Sequence, residues 1–182
     1  MTPRRTSVEV PDQAESPPSR PAMDLIFGVG SAIASTVYGT ITAMATVTAF
    51  AKETSSWQLA QLVAGTALVL WIAHLYAHGL AESISVRRAL RAEALLPIAR
   101  REFGIVLAAV LPTTAIGLAA LGVLRQSSAV WLALAIGLAT LAVEGARYAR
   151  LEGFGFSGTA AAIGANVAVG LLVVALKVAL NH

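Results

Sequence analysis

Apolar and polar positions alternate along this chain on the scale of whole helices, not of single residues. Five apolar runs, at about residues 24–51, 57–85, 103–124, 129–148 and 158–180, are separated by short polar segments. Each holds about 20 residues or more, enough for an α-helix to cross a hydrocarbon core of about 30 Å. The pattern predicts an all-α, polytopic integral membrane protein with a five-helix transmembrane domain over 23–182. Residues 1–22 carry five of the seven prolines with mixed charge, and read as a disordered cytoplasmic tail. Ala49-Phe50-Ala51 has the look of a signal-peptidase site. The apolar run before it is far longer than the core of a signal peptide, so it is expected to stay as the first span.

The connections follow from the same pattern. Lys52–Ser56 and Arg125–Ser128 read as tight loops, and Trp57 as an interfacial anchor. Residues Val86–Glu102 are rich in Arg and Glu with leucines between, and are expected to continue the second helix past the membrane and then turn at Pro97. Pro112 falls inside the third span and is expected to kink it. The glycine-rich stretch Gly153-Phe154-Gly155-Phe156 has no phosphate-loop spacing and reads as a turn.

Composition strengthens the membrane reading. The chain is 57% hydrophobic and 13% charged, against about 25% charged for an average soluble domain. It has no cysteine, which excludes a disulfide framework and thiolate metal ligation. The net charge of +3 is explained by orientation rather than by nucleic acid, since no polar domain or aromatic-basic patch exists to hold one. With the N-terminus inside and the C-terminus outside, Arg4, Arg5, Arg20, Arg87, Arg88, Arg91, Arg100, Arg101, Arg147 and Arg150 are cytoplasmic. Only Lys52, Arg125 and Lys177 are then outside, ten basic residues against three. Arg over Lys and abundant Ala fit a multi-pass protein of a bacterial plasma membrane, with the lipid bilayer as its surroundings.

Candidate chemistry concentrates at the end of the second run. His74, His78 and Glu82 recur every four residues, so they form one polar ladder on an apolar helix, leading to Arg87, Arg88 and Arg91. Ionisable residues inside a span mark ion or proton pathways by default. Two histidines at i, i+4 offer two imidazoles to one metal, and imidazole with carboxylate suits ions such as Fe, Mn and Zn. The same groups serve equally as a proton relay, or as interhelical hydrogen bonds with Glu82 paired to Arg. Glu82 lies about two turns from His74, so His74 with His78, or His78 with Glu82, is the credible pair. Glu144 reads either as an ion pair with Arg147 or Arg150, or as a second carboxylate on the path. Asn166 is expected to hydrogen-bond between helices, and Asp24 to sit at the start of the first helix where its charge suits the dipole. Gly28, Ser31, Ser35, Gly39, Thr42 and Thr46 form a stripe of small residues, which either packs against another helix or lines a polar path. There is no G-x-S-x-G, P-loop or H-E-x-x-H motif, so no catalytic residues and no enzyme are expected.

Two of these segments resemble the vacuolar iron transporter family. Gly28-Val29-Gly30-Ser31-Ala32-Ile33-Ala34-Ser35-Thr36 is similar to the G-x-x-D-G-x-x-S-T pattern of that family's first helix. Ala77-His78-Gly79-Leu80-Ala81-Glu82-Ser83-Ile84-Ser85-Val86 is similar to the S-M-A-x-G-E-Y-x-S-V pattern closing its second. The five-span layout also agrees. The resemblance implies a homodimer that exports a divalent cation of the Fe/Mn/Zn class, coupled to protons, with no permanently bound cofactor. Carried over residue by residue, it implies Glu82 as a path carboxylate, His78 at the family's methionine position and Ser31 at its aspartate position. The family's cytoplasmic metal-gathering domain is missing between the second and third spans, where only Glu93 and Glu102 are acidic. The other reading left open is a non-transporting membrane scaffold or assembly protein with the same fold.

Overall fold

The computed structural model describes residues 20–86 and 92–180, and the side chains of 30–84, 95–176 and 179. The described chain is α-helical: α1 (Arg20–Phe50), α2 (Ser56–Val86), α3 (Ala92–Glu102), α4 (Gly104–Ala120), α5 (Gln126–Leu151) and α6 (Phe156–Leu180). Five stretches are long and apolar enough to cross a bilayer: Gly30–Phe50, Ser56–Ile84, Leu95–Ala120, Gln126–Leu151 and Phe156–Leu176. This is the architecture of a multi-pass membrane protein. The expected tail 1–22 lies outside the described residues up to residue 19. Helix α1 begins at Arg20, so Asp24 sits one turn inside it and not at its start. The arginine cluster Arg87, Arg88 and Arg91 also lies outside the described residues.

The ends of the helices have local causes. Ser55 and Gln58 form a reciprocal capping box: the Gln58 amide N–H donates to Ser55 Oγ (3.3 Å) and the Ser55 N–H to Gln58 Oε1 (3.1 Å). Helices α4 and α5 both end on a glycine with positive φ, Gly122 (78°) and Gly153 (67°). In each, the next residue's N–H bonds back five residues, Val123 to Leu118 O and Phe154 to Ala149 O, and so satisfies the open carbonyls of the last turn. The 153–156 turn is thus as expected.

One expectation fails. Pro97 does not turn the chain but lies inside α3, and the break comes at Phe103. Tertiary contacts override the proline here. Ile98 and Glu102 are buried against the bundle, and the Ala99 carbonyl accepts the Trp71 indole N–H at 3.0 Å. Pro112 lies inside α4 and is buried.

The core is built where α1, α2, α4 and α5 meet, around Met44, Val47, Leu59, Val63, Ile116, Leu134 and Leu141. Part of the small-residue stripe explains why α1 packs so closely. A Cβ at Gly39 would stand 2.7 Å from the Ile105 backbone, so only glycine lets α4 come this near. Helix α6 is peripheral, with Gly170 its one buried residue among those described.

One end of the bundle is closed by a neutral clasp. The Gln126 amide donates to Ala51 O and Thr54 O, both at 2.9 Å, and its oxygen accepts from Ser56 Oγ at 2.9 Å. This sets the start of α5 against the α1–α2 loop, so α1 and α5 run in opposite directions. The far end gathers the ends of α2 and α5 with the α3–α4 junction, and with them Arg100, Arg101, Arg147 and Arg150.

Candidate functional site

Four elements converge at the arginine-rich end on a single carboxylate, Glu102. It closes α3 and is only 3% exposed. Leu95, Ile98 and Glu102 follow a 3–4 spacing, so the face that buries Ile98 also carries Glu102 inward. One carboxylate oxygen accepts a 2.6 Å hydrogen bond from Ser35 Oγ of α1. The other lies 3.4 Å from Arg101 Nε and 3.7 Å from His78 Nε2 of α2. The fourth element is α4: Gly104, its first residue, lies so close to α1 that a Cβ there would stand 2.7 Å from Thr36 Oγ1.

Ser35 gives this site an unusual property. Its hydroxyl has one hydrogen but two acceptors in reach, Glu102 Oε2 at 2.6 Å and the Ser31 carbonyl at 2.8 Å. With Glu102 ionised, Ser35 donates to the carboxylate. With Glu102 protonated, the acid donates to Ser35 Oγ and the Ser35 hydrogen turns to Ser31 O. Both protonation states are hydrogen-bonded without moving a heavy atom.

The expected ladder is only partly assembled. His78 meets Glu102, with its own side chain 47% exposed. His74 is half-buried above it, rings 6.2 Å apart, and stacks at a tilt on Tyr38 at 5.1 Å. Its Nδ1 lies 3.0 Å from Leu70 O. A carbonyl only accepts, so Nδ1 carries the hydrogen of this bond. Glu82 is exposed on α2 one turn beyond His78. Ser31 is half-buried and reaches the site through its carbonyl. Glu144 is 4% exposed, and both its oxygens accept from Arg147 Nη1 (2.8 and 3.0 Å). Asn166, expected to bridge helices, donates within α6 to Ala162 O at 3.1 Å.

Depth can be read from the helices. Measured from the loop at Ser55, a hydrocarbon core of about 30 Å takes about 20 residues of α2. That stretch of helix ends close to His78, so the Glu102 site lies about one such length from the Ser55 loop. On the antiparallel pair α1 and α5, Gly137 packs against Met44. About two turns from that contact, Glu144 comes level with Val37, beside the depth of Ser35 and Glu102.

Glu102 is the residue that sequence reasoning passed over. Beside Arg100 and Arg101 it looks like a solvated ion pair; only its 3–4 spacing from Leu95 and Ile98 points inward. His78 and Glu102 do have a separation suited to a shared ion. Two donors about 2.1 Å from one tetrahedral metal stand about 3.4 Å apart, against 3.7 Å here. Among the described residues, no group of three or more His, Asp or Glu side chains gathers as a metal site. Compared with known proteins, the chain matches no family model, no curated protein and no solved structure.

Proposed function

We propose that this protein is a membrane transporter of a divalent metal cation, exchanged against protons, in which Glu102 and His78 form the loading site at the cytoplasmic mouth. The observation that carries this reading is the buried Glu102 carboxylate, whose partners satisfy it both with and without a proton. A cation arriving between Glu102 and His78 displaces the Arg101 contact, which is long and easily given up. When the cation leaves, a proton takes its place on Glu102, whose Ser35 partner fits the protonated form. His74 and Tyr38 extend the polar face from His78 along α1 and α2. In this reading the N-terminus is inside and the C-terminus outside, because the arginines gather at the Glu102 end. The resemblance to vacuolar iron transporters in the first two helices supports the same direction, cytoplasm outward, and a homodimer; Arg over Lys and abundant Ala support a bacterial plasma membrane.

The test is flux of Fe²⁺, Mn²⁺ and Zn²⁺ into proteoliposomes containing the full chain. The expected result is saturable uptake of at least one ion, lost on His78→Ala. If no ion moves, or if His78→Ala changes nothing for any ion that moves, the transport reading fails. A non-transporting scaffold is favoured by one observation: Arg101 already neutralises Glu102. It predicts no flux, but a stable complex with another membrane protein that survives His78→Ala.

A further inference from the structure

Beside the Glu102 site, on the outer surface of the bundle, α2 and α3 enclose a groove of about 380 Å³ lined by Trp71, Leu96, Ala99, Arg100 and Phe103. Its walls are apolar and well fixed. The Trp71 indole is held by the Ala99 carbonyl at 3.0 Å, and its ring meets Phe103 edge to face at 6.1 Å. Leu96 and Phe103 are exposed large apolar side chains. The only charged lining residue is Arg100, which is exposed. Among the described residues its guanidinium has no ion-pair or hydrogen-bond partner, whereas the adjacent Arg101 has one.

We infer that this groove binds one anionic phospholipid, with its acyl chain along Trp71, Leu96 and Phe103 and its phosphate on Arg100. Charge complementarity selects this occupant. A neutral apolar partner leaves the guanidinium unmatched. A soluble anion leaves the apolar walls uncovered. A phospholipid has both parts, in the order in which the groove presents them. With the bilayer edge taken near His78, Trp71 lies about 10 Å along α2 toward the centre, at acyl-chain level. The stem of Arg100 is long enough to carry its guanidinium toward the headgroups, as arginines near the hydrocarbon edge do. Basic pockets between spans at an arginine-rich end are suited to acidic lipid headgroups, with about 1 kcal/mol for each basic side chain near the surface. The inference stands whether or not the protein transports an ion.

Trp71 is its own reporter. Trp57→Phe with Trp131→Phe leaves it as the one tryptophan of the three. The full chain is reconstituted into phosphatidylcholine vesicles containing a minor fraction of lipid with brominated acyl chains, either phosphatidylglycerol or phosphatidylcholine. Bromine quenches tryptophan on contact. Quenching by the brominated phosphatidylglycerol should exceed that by the brominated phosphatidylcholine, corresponding to about fivefold local enrichment for one arginine. Arg100→Gln should remove the difference and Arg100→Lys should keep most of it. Arg150→Gln, at the same end but away from the groove, should leave it unchanged. Equal quenching by both lipids, or a preference that survives Arg100→Gln, overturns the inference. So does recovery of fluorescence on adding soluble glycerol phosphate, which marks a free-phosphate site.

Discussion

Glu102 and Glu144 lie at the same end of the bundle, at nearly the same depth and almost equally buried, yet they are held in opposite ways. Glu144 takes both its hydrogen bonds from one nitrogen of Arg147, three residues on along α5. That pair assembles as soon as α5 forms, and Arg147 stays half exposed to water. Glu102 is met by Ser35 from α1 and His78 from α2, with only Arg101 local. It is therefore assembled by the fold itself. A buried charge saturated by its own helix is a structural solution. A buried charge shared among helices, with a hydroxyl that fits both protonation states, is the arrangement on which the proposed ion exchange rests.

The contrast can be broken from several sides. The largest effect should come from Gly39→Ala, whose Cβ would stand 2.7 Å from the Ile105 backbone. Overpacking against backbone should cost about 3 kcal/mol, read as a lower thermal midpoint in detergent, and should part Ser35 from Glu102. Second are the two arginines. Arg147→Ala leaves Glu144 buried without its partner, a loss of about 2 kcal/mol after allowing for the half-exposed guanidinium. Arg101→Ala should cost under about 1 kcal/mol, because Ser35 and His78 still meet Glu102. Equal losses would mean that the two carboxylates are held alike. Ser35→Ala falls between the two arginines, about 1 kcal/mol for one buried hydrogen bond; Ser35→Thr should recover most of it.

The five spans were legible because hydropathy over some 20 residues averages out local detail. The turn at Gly153 was legible too, since a glycine-rich break after an apolar run has few other readings. What could not be read was the meeting of segments far apart in sequence. His78 stood out as an ionisable group in an apolar run, but its partner comes from α3 and not from the next rung, Glu82. Glu102 was hidden by its arginine neighbours, and α3 by Pro97, which normally argues against a helix. In both places packing decided: Ile98 and the Trp71–Ala99 hydrogen bond hold α3 in place and bring Glu102 inward. Asn166 shows the reverse case, an interhelical role expected where the described bond of its amide runs within α6 to Ala162 O.

In the proposed transport cycle Glu102, and not Glu144, is the exchanging carboxylate. Proteoliposomes with Glu102→Gln and Glu144→Gln, at matched incorporation and thermal stability, test it directly through the flux of whichever divalent ion the unaltered protein carries. Glu102→Gln should lose at least tenfold in flux, about the effect of 1.4 kcal/mol or more on the transport barrier, and Glu144→Gln should change it within about twofold. Full flux in Glu102→Gln, or an equal loss in both, would contradict it.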